Sequence, residues 1–171
     1  EPLYRIARTL VGLLIRLLAR VEVSGLENVP REENFILLLN HLHWVDVPLA
    51  MAVVPRQLDV FAGERWGRRW PLNWLLSHIG HAIYVRRGEV DRKALQAALE
   101  ALKKGRNLGI APEGTRSRTG GLIKGKAGAV YLATRSGVLV VPMVAWGQER
   151  LFKSLRRGRR AVIRVVIAPP F

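Results

Sequence analysis

The sequence predicts an α/β fold: one domain with a largely parallel mixed sheet flanked by helices, opened by an N-terminal amphipathic helix. Two observations predict it. Short apolar, β-branched runs alternate along the chain with segments of helical period, the pattern of strands joined by helical crossovers. The 171 residues, 49% of them hydrophobic, suffice for one substantial core, and no repeat, low-complexity tract or Ser/Gly-rich linker divides them.

The first segment, Leu3 to Arg20, has helical periodicity. Arg5, Arg8, Arg16 and Arg20 fall on one arc with Thr9 and Gly12, and leucines and isoleucines cover the rest. A basic stripe beside a broad Leu/Ile face is what an interfacial membrane helix requires; a helix packed on its own domain reads the same way. Residues 1–20 are expected to form this helix and 21–171 the domain that follows.

Beyond it, Val21 to Val23 reads as a short strand and Phe35 to Leu39 as a buried one. Asp46-Val47-Pro48 opens a helix running to Val54, with Asp46 in the N-cap position and Pro48 in the first turn. Gln57 to Ala62 is a strand, Leu72 to His78 a helix, Ala82 to Val85 a strand, and Val90 to Lys104 an amphipathic helix closed by Gly105. Asn107 to Ala111 is a strand, Ala127 to Arg135 a helix ending near Gly137, and Val138 to Val141 and Ala161 to Ile167 are the last two strands.

Charge and composition narrow the partners. Lys and Arg outnumber Asp and Glu by 28 to 13, a net charge of +15, which calls for nucleic acid or anionic lipid. The absence of cysteine excludes disulfides, thiolate metal sites and cysteine nucleophiles. No apolar run reaches the roughly 18 residues of a spanning helix. The chain opens on Glu1 rather than Met, so an N-terminal piece is expected to precede it.

The most informative segment is Asn40-His41-Leu42-His43-Trp44-Val45-Asp46. His41 and Asp46 would point apart on a regular helix or strand and meet only if the chain turns between them. The strand-to-helix junction supplies that turn and puts His41 at a strand's carboxyl end, where α/β sheets build their sites. A neutral imidazole there takes a proton from an attacking hydroxyl, while Asp46 bonds the other ring nitrogen and stabilises the imidazolium. The alternative is that Asp46 only caps the helix and His41 and His43 are loop residues.

Pro112-Glu113-Gly114-Thr115-Arg116-Ser117 also follows a strand directly. Arg holds phosphate through a bidentate fork and the short polar side chains meet hydroxyls, so the loop suits a phosphorylated polyol; a solvated turn is the alternative. Ile83 to Gly88 is a strand ending in the cations Arg86 and Arg87. Lys124 and Lys126 precede the helix 127–135, whose N-terminus would add to anion binding if those lysines are not simply solvated.

Trp66, Trp70 and Trp74 interleave with Arg65, Arg68 and Arg69. Indoles favour the headgroup zone of a bilayer and arginines its phosphates, although the same set stacks on single-stranded bases, and one Trp can belong to the core. Lys153, Arg156, Arg157, Arg159 and Arg160 form a further basic run that would meet lipid, an acidic carrier protein or solvent. His78 and His81 have metal-like spacing without accompanying ligands, so no metal site is expected.

In order, these segments resemble the glycerolipid acyltransferase family typified by 1-acyl-glycerol-3-phosphate acyltransferase. The likeness covers roughly Asn40 to Met143. NHLHWVD matches the family's NHxSxxD block, IYVRR its strand ending in Arg, Glu113 to Ser117 its EGTRS block, and Val141-Pro142-Met143 its hydrophobic-Pro-hydrophobic block. His43 stands where the family usually has Ser, and Val85 where it often has Asp.

The resemblance implies that residues 21–171 are an acyltransferase domain. It implies catalytic roles for His41 and Asp46, and substrate binding by Arg86, Glu113, Gly114, Thr115, Arg116, Ser117 and Lys126, with Arg87 a substitute for Arg86. Acyl transfer would run from a coenzyme A or acyl carrier protein thioester to a lysophospholipid hydroxyl, with that thioester as co-substrate and no other cofactor. The expected partners are an anionic phospholipid membrane, the lysophospholipid and the acyl carrier, with no nucleic acid. The expected location is peripheral or monotopic, on the cytoplasmic face of a bacterial inner membrane.

Overall fold

The computed structural model describes residues 2–86, 91–117 and 119–171. Among these residues, seven strands form one sheet: β1 (Ala19–Ser24), β2 (Phe35–Leu39), β3 (Leu58–Gly63), β4 (Ile83–Val85), β5 (Asn107–Ile110), β6 (Leu139–Trp146) and β7 (Ala161–Ile167). Their order is β1-β7-β6-β2-β5-β3-β4, parallel throughout except for the antiparallel β6-β7 pair. The expected mixed, largely parallel α/β sheet is thus what the chain forms.

Among the described residues, six α-helices accompany the sheet: α1 (Pro2–Leu18), α2 (Asp46–Val53), α3 (Leu72–His78), α4 (Arg92–Lys103), α5 (Gly128–Ser136) and α6 (Leu151–Leu155). The crossovers through α2 and α3 step toward the β4 edge, and those through α4 and α5 step back. Right-handed connections therefore put α2 and α3 on one face and α4 and α5 on the other. Two cores follow from this division. Phe35, Leu37, Leu49, Val141 and Met143 pack with Ile15 of α1 on the first face, and Ile36, Leu108, Ala98, Leu102 and Leu132 fill the second. Because β2 alternates between both cores, its FILLL run is apolar on both sides, as a central parallel strand demands.

The first helix differs from expectation. It ends at Leu18, and β1 takes Ala19 and Arg20, where Arg20 pairs with Glu22 at 3.2 Å. Arg8 is partly buried and its Nε has no partner, so the basic arc on the helix reduces to Arg5 and Arg16. Tyr4 and Ile15 are buried against the domain, with Tyr4 donating its hydroxyl to the Arg56 carbonyl at 3.3 Å. Burial pushes the Tyr4 phenol up to about 12. The remaining side, Leu3, Ile6, Leu10, Leu13, Leu14 and Leu17, is exposed. At the helix's carboxyl end, Arg160 donates to the carbonyls of Arg16 and Ala19, a cation on the negative end of the dipole.

Other boundaries move by one to five residues. β6 does not stop at Val141 but runs through Pro142 to Trp146. Pro142 still accepts from the Ala168 N–H at 2.9 Å, so the strand loses only the donor that proline lacks. The helix expected from Val90 begins at Arg92, with Asp91 capping it by accepting the Ala94 N–H at 3.1 Å; Val90, like Arg87, lies outside the described residues.

Candidate active site

Adjacent parallel strands in register carry the two main blocks to one place. Leu38 of β2 pairs with Ile110 of β5, so His41 and Glu113 leave the sheet at the same level, three residues past the paired positions. β4 ends beside Gly63 of β3 and delivers Arg86 to the same end.

The chain turns between His41 and Asp46 as the spacing requires. His41 Nδ1 lies 2.8 Å from Asp46 Oδ2. The same oxygen accepts the backbone N–H groups of Leu42 and His43, each at 2.8 Å. Asp46 is not the N-cap of α2; Val45 occupies that position, and the carboxylate, on the first helical residue, folds back over the loop. Its other oxygen accepts from Nε2 of the fully buried Gln148 at 3.0 Å. Three of these contacts come from N–H donors, and a carboxylate can only accept the fourth, so Asp46 favours the His41 tautomer protonated at Nδ1, with Nε2 as the acceptor.

Residues 112–117 grip the His41 backbone from the other side. Ser117 donates its backbone N–H to the His41 carbonyl at 2.7 Å, and His41 donates its own N–H to Glu113 Oε1 at 3.3 Å. Glu113 and Ser117 are both buried, and Glu113 Oε2 has no partner. Gly114 has φ +65, a conformation that favours glycine, and a Cβ there would press the outer part of the exposed Lys126 side chain at 3.2 Å.

His41 opens onto a cavity of about 730 Å³. Leu58, Val60, Leu95, Leu99 and Tyr131 give it apolar walls, and Arg86, Arg92 and Lys126 add cations. Of the residues expected at the site, His41, Arg86, Gly114 and Lys126 line this space; Asp46, Glu113 and Ser117 are buried behind it. Thr115 and Arg116 are exposed and outside the lining. Arg86 is held loosely, its Nε 3.8 Å from Glu64. Its backbone N–H bonds Asp91, and this bond, with that of Ala94, holds the Asp91 carboxyl below its usual range.

His43 joins Trp44 and Phe152 in a three-ring cluster, its centroid 5.5 and 5.8 Å from theirs while those two stack on each other at 5.7 Å, and its Nδ1 is buried and unpartnered. Burial, and then the nearby Arg116 charge, lower its pKa against the opposing pull of Asp46 and Glu149. The metal-spaced histidines serve elsewhere: His78 stacks on Trp74, and His81 pairs with Asp59 at 3.3 Å beside Arg106.

Two supports escaped sequence reasoning. Asn40 exchanges both side-chain bonds with the Ala145 backbone at 2.8 Å, tying the loop 40–46 to the end of β6, and Gln148 ties Asp46 to the same region. The only available sign was Gly147-Gln148 directly after an apolar run; Gly147 has φ +98 and makes the turn that sends Gln148 inward.

Fold and site together define an α/β protein with a histidine–carboxylate pair at the carboxyl ends of central strands, an arrangement suited to general-base group transfer. The chain belongs to the acyltransferase family, whose model, Acyltransferase, matches residues 20–146.

Similar proteins include the 1-acyl-sn-glycerol-3-phosphate acyltransferase of Bacillus subtilis, 28% identical over 94% of this chain and 80% of that one. The protein of the same name from Borreliella burgdorferi is 29% identical over 78% of this chain, which spans about half (54%) of that relative's length. The lyso-ornithine lipid O-acyltransferase of Pseudomonas aeruginosa is 35% identical over 72% of this chain and 46% of its own. The crystal structure of the 1-acyl-sn-glycerophosphate acyltransferase PlsC from Thermotoga maritima superposes with a TM-score of 0.83 at 28% identity, over 98% of this chain and 68% of that one.

Proposed function

We propose that this chain moves a fatty acyl group from an acyl thioester, on coenzyme A or acyl carrier protein, to the free hydroxyl of 1-acyl-glycerol-3-phosphate, forming phosphatidic acid. The observation that carries the reading is the 2.8 Å His41–Asp46 contact beside a cavity that joins apolar walls to Arg86 and Lys126. His41 Nε2 takes the hydroxyl proton as the oxygen attacks the thioester carbonyl. The tetrahedral adduct collapses with loss of the thiolate, so a C–O bond replaces the C–S bond and the imidazolium proton passes to sulfur. Asp46 stabilises that imidazolium. No acyl-enzyme forms, because the acceptor hydroxyl is itself the nucleophile. The donor's acyl chain occupies the apolar part of the cavity, and Arg86, Lys126 and Arg116 bind the acceptor phosphate. Thr115 and Gly114 border the glycerol, while Glu113 and Ser117 act through the His41 backbone. Fixing both substrates this way supplies several kcal/mol through lost orientational freedom, on the order of half a typical effective-molarity gain.

Residues 1–20 form the membrane-contacting unit of this reading, and residues 21–171 the transferase unit. The exposed Leu3, Ile6, Leu10, Leu13, Leu14 and Leu17 enter the acyl boundary of a bilayer while Arg5 and Arg16 meet its phosphates. No helix among the described residues is long and apolar enough to cross a membrane. The reading attaches the protein peripherally or monotopically to the cytoplasmic face of a bacterial inner membrane through the exposed α1 leucines.

His41→Ala abolishes acyl transfer and leaves vesicle binding intact on this reading; unchanged turnover rejects it. A second acceptor, a lyso-amino lipid without phosphate, is favoured by the Pseudomonas aeruginosa relative at 35% identity. Arg116→Ala separates the two, weakening use of lysophosphatidic acid but not of the neutral lysolipid.

A further inference from the structure

The Trp/Arg segment 65–75 is not used by the site, and its chemistry is unusual for a protein surface. Trp70 is 85% exposed, Trp74 46% and Leu75 45%. Arg65, Arg68 and Arg69 are also exposed, and Arg65 and Arg69 stack on Trp66 at 4.9 and 5.6 Å from its ring centroid. No residue of α3 is buried.

Topology settles which way this surface faces. Side chains alternate along β4: Ile83 packs in the α4/α5 core, so Tyr84 points to the opposite face, and there its hydroxyl bonds Asn73 and Ser77 of α3. Gly80, just after α3, approaches Val60, which packs with the core beneath α1 and α2. The exposed indoles therefore lie on the same sheet face as the exposed leucine stripe of α1, near the strand ends that carry His41.

We propose that segment 65–75 is a second membrane-contact surface, with indoles in the headgroup zone and arginines on anionic phospholipid phosphates, so that the protein lies on the bilayer by its α1/α3 face. The proposal rests on the membrane reading of α1 but names a separate patch. Three arginines without an acidic partner among the described residues complement an anionic layer, and indoles beside them suit the boundary between headgroups and chains.

The test measures partition of the full chain onto vesicles of equal parts phosphatidylcholine and phosphatidylglycerol. Trp70→Ala/Trp74→Ala lowers the partition coefficient about tenfold. Arg68→Glu/Arg69→Glu lowers it about thirtyfold on these vesicles and little on pure phosphatidylcholine. Leu10→Ser/Leu14→Ser reports on α1 independently. If only the α1 variant loses binding, the second surface is overturned and the α1 reading stands; if only the α3 variants lose it, the α1 reading falls and the joint α1/α3 face is overturned with it. If none loses binding, both fall. Quenching of wild-type fluorescence by chain-brominated lipid, relieved in Trp70→Phe, supports the patch without relying on a destabilised variant, and quenching unchanged in Trp70→Phe counts against it.

Discussion

Gln148 donates its side-chain N–H to Oδ1 of Asp46 at 3.0 Å across 102 residues of chain, and so occupies the one carboxylate oxygen that the loop 41–43 leaves open. The same nitrogen also donates to the Ala145 carbonyl at 3.2 Å, which anchors the amide to the end of β6. Gln148→Leu removes the donor and leaves Asp46 Oδ1 buried without a partner. A hydrogen bond to a charged group contributes about 1.5–3 kcal/mol, and a loss of that size is expected in urea unfolding. Turnover should fall about tenfold or more with KM nearly unchanged, because the imidazole is misaimed rather than the substrate displaced. An unaltered kcat would show that the loop positions Asp46 without help.

Glu113 separates a structural role from a binding one. Its Oε1 accepts the His41 backbone N–H, and its buried position keeps it out of the cavity lining. Glu113→Gln retains an oxygen for that bond, so stability and the KM for acceptor should both stay close to wild type. Glu113→Ala orphans the N–H and should cost about 1–3 kcal/mol together with most of the activity. A Gln variant with a strongly raised acceptor KM would instead mean that the carboxylate contacts the glycerol portion, as the family resemblance implied.

The cavity's depth depends on Gly109 in β5. A Cβ there meets Val60 Cγ1 at 3.5 Å, ordinary contact, so Gly109→Ala fits. Larger side chains must project into the space that Gly109 lines with Leu58 and Val60. Gly109→Leu should shift preference toward shorter acyl donors while the rate with short chains persists. A competition assay across donor lengths reads this directly, and an unshifted preference would remove the acyl chain from this cavity.

What was legible in the sequence followed from local pattern. The apolar run before Asn40 and the one before Pro112 marked strand ends, and parallel neighbours then had to bring His41 and the Glu113 loop together. The division of α1 was hidden, since helical periodicity cannot tell the leucines that face solvent from Ile15, which faces the core. Arg8 was misread for the same reason: its place on the arc was right, but α1 packs that side toward α2. The strand expected to end at Val141 continues because the Pro142 carbonyl keeps the ladder going to Ala168, a pairing nothing local reveals. Asp46 was read as a cap because Asp before Val-Pro commonly caps; here the loop's three donors compete for the carboxylate and win. Gln148 carries no periodic signal at all, and only the turn at Gly147 directs it inward.

His43 makes stability depend on pH, and the direction follows from its surroundings. Burial among Trp44 and Phe152, with Arg116 nearby, lowers its pKa from the ordinary 6.5. The unfolded chain therefore binds a proton at this ring before the folded one does. Above pH 6.5 both states are neutral here and nothing is lost. As pH falls below that value the unfolded state gains protons first, so folding stability declines until the folded ring also titrates. Substitution by Ser, the residue usual in the family, deletes the titrating group and should flatten this slope. Thermal midpoints across the acid side of pH 6.5 compare the two proteins; parallel curves would mean that His43 is as easily protonated folded as unfolded. The same substitution removes the ring that packs against both Trp44 and Phe152, so its midpoint near neutral pH should be lower than wild type, and the two curves should approach one another as the solution is acidified.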